Sequence, residues 1–357
     1  MDVNAGTVDF TTTFRGQRET HQTWYKIVTP PASDNSNKRD AGQGPADNAG
    51  PLPLLVLHGG PGCTHDYLLS LTDLADPATP ANPATPGSPA TPGSPATPAN
   101  PATPGQPGRP VIFYDQIGNG NSTHLPERGA DFWTVELFVS ELQNLVRQLN
   151  LAETGYHILG QSWGGFLAQE FALTRPPGLR GVVLADTASS WQGFLDECNK
   201  LRAQLPPEVD AVLRKHEEAG TFTDPEYAAA SAVFYKRHVC RLDPMPADVA
   251  TTFALLDTDP TVYHTMNGPS EFHCIGSAVG WDVTSRLPEI ANPVLIVSGR
   301  YDEAGLPLQE TLLNGLKTAE LTVFGESSHM PHWEERDRYM NIVGGWLRGH
   351  DVAVTRP

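Results

Sequence analysis

Gly160-Gln161-Ser162-Trp163-Gly164-Gly165 is the stretch that decides the fold. A short apolar run at residues 156–159 precedes it, and a segment of helical composition without breakers, residues 166–174, follows it. Strand, sharp turn with serine at its tip, and helix make up the G-x-S-x-G nucleophile elbow. Glycine is needed at both ends of this pattern because the turn strains the serine backbone and brings strand and helix too close for a Cβ. The motif alone is weak, and the rest of the chain must supply its partners.

Apolar runs alternate with helical segments along most of the chain. Continuous apolar runs are typical of buried parallel strands, whereas alternation of apolar and polar residues is typical of half-buried antiparallel strands. The repeated strand–helix–strand order therefore predicts an α/β fold with a mostly parallel, doubly wound sheet. Continuous runs occupy residues 52–57, 111–115, 156–159, 181–185, 294–299 and 321–324, alternating runs occupy 8–14 and 23–28, and helical segments include 65–74, 133–150 and 336–347.

The alternation stops between residues 191 and 285, where charged helical stretches follow one another without a clear strand. This segment is expected to form a helical cap over the carboxyl edge of the sheet, and it is called the cap below. The core is then predicted in two parts, residues 1–190 and 286–357.

A Pro-rich, low-complexity insertion at about residues 76–109 interrupts the first part of the core. The tetrad Pro-Ala-Thr-Pro begins there at residues 77, 83, 89, 95 and 101. Such frequent proline excludes helix and sheet, so we expect a surface loop that leaves the fold intact. A Pro-rich ligand motif for a partner protein is the alternative.

Composition limits the classes of partner. The chain has 24 basic and 41 acidic residues, a net charge of −17, which argues against binding to nucleic acid or to an anionic membrane surface. No apolar run approaches the roughly 18 residues of a membrane span, and the first residues do not resemble a secretory signal. A cytoplasmic location is therefore expected.

The cysteines also point to the cytoplasm. Cys63, Cys198, Cys240 and Cys274 are scattered without C-x-x-C spacing, which indicates reduced thiols and argues against a metal site. A bridge between Cys240 and Cys274 is the alternative.

Two residues at strand ends complete a catalytic triad with Ser162. Serine needs a base to take its proton and an acid to orient that base, and elbow enzymes carry them in the order serine, acid, histidine. Asp302 follows the run at 294–299, and His329 follows the run at 321–324. The predicted roles are nucleophile for Ser162, general base and acid for His329, and orienting carboxylate for Asp302. Glu303 is the competing acid and His332 the rival base.

The stretch His58-Gly59-Gly60-Pro61-Gly62 follows the strand at 52–57 and is expected to stabilise the oxyanion of acyl transfer. Backbone N–H groups must point at the developing negative charge. We predict the N–H of Trp163, directly after the nucleophile, and the N–H of Gly60 as the two donors. This chemistry requires neither cofactor nor metal.

These motifs resemble the proline iminopeptidase family of α/β-hydrolases. That family carries the same His-Gly-Gly-Pro-Gly loop, the same Gly-x-Ser-x-Gly-Gly elbow and an Asp-Gln-x-Gly-x-Gly-x-Ser turn, matched here from Asp115 to Ser122. The resemblance covers nearly all of the chain except the Pro-rich insertion. It implies an α/β-hydrolase fold with a helical cap and a serine aminopeptidase activity.

A closer resemblance is to the branch with the archaeal tricorn-interacting aminopeptidase and bacterial L-amino-acid amidases. It rests on His65-Asp66-Tyr67-Leu68 and on Asn267-Gly268-Pro269-Ser270-Glu271-Phe272. In that branch two cap carboxylates bind the free α-amino group of the substrate. By resemblance Glu271 takes the first role and Asp243 the second, although Asp243 stands where a glutamate is expected.

The leading hypothesis is thus a serine hydrolase that releases an N-terminal amino acid from a small peptide, or cleaves an L-amino-acid amide, through an acyl-enzyme. An esterase or a biosynthetic hydrolase acting on a secondary metabolite is the second reading. A non-catalytic binding protein on the same fold is the third. The preferred residue and the oligomeric state are not readable from the sequence.

Overall fold

The computed structural model describes residues 1–31, 50–76 and 108–351, and these form an eight-stranded sheet with helices on both faces. The strands are β1 (Asp2–Phe14), β2 (Gln17–Thr29), β3 (Leu54–Leu57), β4 (Val111–Asp115), β5 (Tyr156–Gln161), β6 (Leu179–Ala185), β7 (Val294–Gly299) and β8 (Ala319–Phe324). Their order across the sheet is β1-β2-β4-β3-β5-β6-β7-β8. The β1–β2 hairpin and the β2–β4 pair are antiparallel, and every other pair is parallel. The predicted fold class is confirmed.

Side chains alternate between the two faces of the central strands, so each face has its own core. Leu55 and Ile158 pack into one hydrophobic cluster, whereas Leu54 and Leu159, their neighbours in sequence, pack into the other. All four are completely buried. This explains why the central strands read as continuous apolar runs, since neither face meets water.

Helices connect the strands. They are α1 (Val135–Gln148), α2 (Leu151–Thr154), α3 (Trp163–Leu173), α4 (Trp191–Arg202), α5 (Pro207–Ala219), α6 (Pro225–His238), α7 (Ala247–Thr258), α8 (Thr261–Met266), α9 (Leu306–Gly315), α10 (Pro331–Glu334) and α11 (Arg336–Gly349). Five of them, α4 to α8, occupy the connection between β6 and β7, where the cap was predicted. None of the helices in the described ranges is long and apolar enough to cross a bilayer.

The segment after β3 is helical, as predicted for residues 65–74, but its helix, Asp66–Ala75, is of the 3₁₀ type. The backbone of Tyr67 is engaged from outside the segment, since its N–H donates to Thr252 Oγ1 and its carbonyl accepts from the Trp333 indole. Contacts with remote residues thus hold this segment in place, and short 3₁₀ pieces are common in such connections.

The Pro-rich tetrads lie outside the described residues, so their expected loop conformation stays a prediction. All four cysteines are free thiols, as the reduced reading predicted, and Cys240 and Cys274 form no bridge.

Candidate active site

The elbow has the strained geometry that its sequence predicts. Ser162 lies between β5 and α3 with φ 56° and ψ −124°, a region that L-residues rarely occupy. A Cβ on Gly160 would lie 2.1 Å from the carbonyl oxygen of Gly164, and a Cβ on Gly164 would lie 2.1 Å from that of Leu57. Both glycines are therefore required by close backbone approach, and the turn holds the serine hydroxyl at the carboxyl edge of the sheet.

Asp302 and His329 meet at the same edge. His329 Nδ1 lies 2.6 Å from Asp302 Oδ1, and both side chains are buried. The aspartate also accepts bonds from the Ala304 N–H and the Ser298 hydroxyl, so its orientation is fixed. With the Nδ1 proton directed at Asp302, the other imidazole nitrogen is free to accept the serine proton. Ser162 and His329 line one cavity.

A second buried aspartate, Asp186, lies next to Asp302, the predicted catalytic acid. Asp186 directly follows β6, and one of its oxygens accepts the Gly299 N–H at 3.1 Å. Burial, and next the adjacent Asp302 carboxylate, raise the pKa of Asp186 well above its usual value. Asp186 therefore favours the protonated form more than an exposed aspartate does, because burial and a neighbouring carboxylate both disfavour its charged form.

The stretch at residues 58–62, called the oxyanion loop below, lies against the elbow where Gly59 and Gly60 lack side chains. A Cβ on Gly59 would lie 3.0 Å from Ser162 Cβ, and Gly60 has a φ of 109°, where only glycine is unstrained. Gly60 lines the cavity beside Ser162. The N–H of Trp163 belongs to the first turn of α3, where helix N–H groups lack intrahelical partners. Both predicted donors are thus placed beside the nucleophile.

Two glutamine side chains hold the oxyanion loop in place through hydrogen bonds. The side chain of Gln116 donates to the His58 carbonyl and accepts from the Trp163 indole, at 2.9 Å each. Gln161 accepts from the Tyr67 hydroxyl, which in turn accepts the Gly59 N–H at 2.7 Å. The amide of Gln161 also donates to the backbone carbonyl of His329 at 3.0 Å. Hydrogen bonds thereby join the oxyanion loop, the elbow and the histidine loop.

Two carboxylates from different parts of the chain face the catalytic cavity. Glu271 comes from the cap and accepts a hydrogen bond from the Tyr263 hydroxyl at 2.7 Å. Glu303 follows Asp302, is 1% exposed, and places Oε1 3.6 Å from His329 Nε2. Its Oε2 has no hydrogen-bond partner among the described residues. Burial is the main cause that raises the pKa of both groups, and for Glu303 the charge of Glu271 adds to it.

Asp243 requires a correction, because the structure does not bring it to the cavity. Its carboxylate is 72% exposed and pairs with Lys236 at 2.7 Å. After α6 ends at His238, Val239 and Cys240 are still buried, and the chain reaches the surface by Asp243. The expectation that it lies beside Glu271 is wrong, and Glu303 occupies the place of the second carboxylate. Sequence reasoning weighed Glu303 only as a triad acid, although its position next to Asp302 was the available signal.

His332, the rival base, is engaged elsewhere. Its Nε2 lies 3.1 Å from the Tyr67 carbonyl, the ring is buried, and it does not line the cavity. Burial lowers its pKa to about 3, so it stays neutral. Both observations favour the prediction that His329, rather than His332, is the base.

A group of possible metal ligands, His216, Asp224 and Glu226, lies outside the catalytic cluster. Each member already has a structural partner. His216 lies 3.1 Å from Glu226, Lys215 pairs with the same carboxylate, and Asp224 accepts the Glu226 N–H at the start of α6. The group is accounted for as a set of helix-capping and ion-pair contacts.

Comparison with known proteins places these features in a context. Residues 53–336 match the family described as alpha/beta hydrolase fold. The chain is 34% identical to the proline iminopeptidase of Saccharolobus solfataricus over 81% of this chain and 83% of that protein. It is 32% identical to the proline iminopeptidase of Thermoplasma volcanium over 81% of this chain and 86% of that protein.

Solved structures are similar to this chain over nearly its whole length. The crystal structure of VinJ superposes with a TM-score of 0.76 at 40% identity, covering 96% of this chain and 99% of that one. The crystal structure of the Mycobacterium smegmatis proline iminopeptidase superposes with a TM-score of 0.74 at 38% identity, with the same coverage of both chains.

Proposed function

Because this chain belongs to the α/β-hydrolase family and, within it, to the proline iminopeptidases, we propose that it is a serine hydrolase releasing an N-terminal amino acid. Its substrate is a small peptide or an amino-acid amide with a free α-amino group. The observation that carries the proposal is the pair Glu271 and Glu303 in the cavity that also contains Ser162 and His329.

Placing Glu271 and Glu303 together in the cavity costs free energy unless the two carboxylates bind a cation. Two buried acidic groups repel each other, and a buried carboxylate lacking a partner loses its hydration without compensation. A substrate ammonium supplies both the opposite charge and the hydrogen-bond donors that Glu303 Oε2 lacks. The cavity therefore has the charge pattern of a site for an unblocked amino terminus.

Acylation begins when His329 takes the proton of Ser162 and the serine oxygen attacks the carbonyl carbon next to the bound ammonium. Negative charge develops on the carbonyl oxygen and is stabilised by the N–H groups of Gly60 and Trp163. His329 then gives its proton to the leaving nitrogen, the C–N bond breaks, and the amine departs. Asp302 stabilises the imidazolium between these steps.

Deacylation repeats the same chemistry with water. His329 removes a proton from water, which attacks the ester carbonyl, and returns the proton to Ser162 as the free amino acid leaves. The net reaction consumes one water and yields an amino acid and an amine. Every proton transfer uses His329.

A substrate panel tests the proposal. Prolyl and alanyl anilides with a free amine are expected to be cleaved, and their N-acetyl counterparts at least about a hundredfold more slowly, because a blocked nitrogen leaves two carboxylates unpaired. Equal turnover of free and blocked substrates, or a preference for simple esters, would contradict the amine site and favour an esterase.

Active-site labelling separates an enzyme from a binding protein. A fluorophosphonate is expected to label the wild-type chain and not Ser162→Ala. Failure to label the correctly folded wild type would contradict a serine mechanism.

A further inference from the structure

The catalytic cavity is much larger than the amino acid that the proposed reaction releases. Its volume is about 510 Å³. Cavities of roughly 300–1,000 Å³ hold drug-sized molecules, and one amino acid fills only part of such a space. The rest of the volume continues from Ser162 between α6 and α7 of the cap, and we call this part the cap chamber.

The walls of the cap chamber are mainly apolar. The side chains share a hydrophobic or aromatic character and come from α6, α7 and the segments beside them: Phe222, Tyr227, Val249, Phe253, Leu256 and Pro260. Phe253 and Leu256 are partly exposed although they are large and apolar, because they face this space. Such walls favour an apolar occupant, since its burial removes both surfaces from water.

The charges around the cavity disfavour a carboxylate as occupant. Within the described residues, no lysine or arginine lines it, whereas Glu271, Glu303 and Asp257 do. His264 also lines the cavity, and burial lowers its pKa, so the ring is mainly neutral at pH 7. The C-terminal carboxylate of a dipeptide would find acidic groups and no cationic partner there.

We infer that the cap chamber binds the leaving group and that the preferred substrate is an aminoacyl amide of a bulky, apolar, uncharged amine rather than a short peptide. The inference rests on the proposed function, because it assigns the other half of the same substrate. In the acylation step the proton from His329 goes to the nitrogen of this amine as the C–N bond breaks. The free amine then leaves through the chamber before water enters.

An alkyl series of prolinamides tests the inference with the wild-type enzyme. N-methyl, N-propyl, N-hexyl and N-decyl prolinamides have leaving amines of similar basicity, so kcat/KM reports burial of the chain. A rise on the order of tenfold or more from N-methyl to N-hexyl is expected, because burying one methylene is worth about fourfold. Pro-leucinamide is likewise expected to exceed Pro-Leu by at least about tenfold, because only Pro-Leu carries the carboxylate.

Two neighbouring leucines of α7 provide matched variants. Leu256 lines the chamber, whereas Leu255 is 40% exposed and does not. Leu256→Lys is expected to lower the ratio of N-hexyl to N-methyl cleavage about tenfold and to raise Pro-Leu relative to Pro-leucinamide. Leu255→Lys, with the same charge on the same helix, is expected to keep both wild-type ratios.

The outcomes separate the inference from the proposed function. Three results would overturn the inference: a kcat/KM that does not change with alkyl length, equal cleavage of Pro-Leu and Pro-leucinamide, or wild-type ratios in Leu256→Lys. In each of these cases, cleavage of the prolinamides would still uphold the proposed function. If no substrate with a free amine is cleaved, the proposed function fails and the inference fails with it.

Discussion

The side-chain amide of Gln161 donates a hydrogen bond to the backbone carbonyl of His329, with the two atoms 3.0 Å apart. The residue before the nucleophile therefore holds the loop that carries the base. Through its other side-chain atom the same glutamine accepts from Tyr67, whose hydroxyl receives the Gly59 N–H. One side chain thus controls the relative position of three catalytic segments that are distant in sequence.

Gln161→Met is expected to lower kcat by about ten- to a hundredfold with a smaller effect on KM. The substitution keeps the volume but removes two buried hydrogen bonds, each worth about 1 kcal/mol, and frees the histidine loop. Steady-state kinetics on a prolyl anilide measure the effect. Gln169→Met is the control, since Gln169 bonds the carbonyls of Gly165 and Ala188 instead. If both variants lose kcat equally, the contact with His329 has no special role.

Glu303→Gln is expected to raise KM for free-amine substrates at least tenfold, because breaking a buried charge pair costs about 3–5 kcal/mol. Glu271→Gln should act in the same direction. Asp243→Asn is the comparison, since that carboxylate is exposed and pairs with Lys236. A KM raised in Asp243→Asn and unchanged in Glu303→Gln would restore the assignment made from resemblance.

The activity on free-amine substrates should fall toward acid pH. Burial raises the pKa of Glu271 and of Glu303, and the charge of Glu271 further raises that of Glu303. Protonation neutralises the pair, so ammonium binding weakens as pH falls through these raised values. Glu271→Gln removes the repulsion and should shift the acid midpoint of kcat/KM downward. If kcat/KM of this variant falls at the same acid pH as in the wild type, the loss of activity is due to the titration of another group.

A buried glutamate beside the turn that follows β4 should make stability depend on pH. Glu141 accepts the Ile117 N–H at 2.9 Å and a bond from Thr23, and burial raises its pKa to about 8. The folded state therefore keeps a proton that the unfolded state loses above about pH 4.3. Between these values stability decreases as pH rises, by up to about 1.4 kcal/mol per pH unit from this group.

Glu141→Gln is expected to flatten this dependence, because glutamine keeps an acceptor for Ile117 and does not titrate. Thermal unfolding of both proteins between pH 5 and 9 measures the difference. The advantage of the variant over the wild type should grow with pH, and parallel curves would show that Glu141 does not change its protonation on folding.

Much of the fold and part of the site could be predicted from local sequence patterns. The strands were predictable because burial on both faces demands continuous apolar runs, and the meeting of Asp302 with His329 follows from parallel strands ending at one edge. The 3₁₀ type of the helix after β3 was not predictable, and its contacts through Tyr67 go to Thr252 and Trp333, which are remote in sequence. The assignment of Asp243 as the second amine-binding carboxylate failed for a similar reason. It depends on the direction of the chain after α6, which no local pattern encodes.

Glu303 follows Asp302 directly in the chain, so the proposed ammonium partner and the predicted catalytic acid belong to the same loop after β7. Neighbouring Cα atoms are about 3.8 Å apart, and Glu303 Oε1 lies 3.6 Å from His329 Nε2. A displacement of this loop would therefore move the proposed partner of the substrate amine and the residue that orients the base together. A change that loosens the loop should affect substrate binding and proton transfer at the same time.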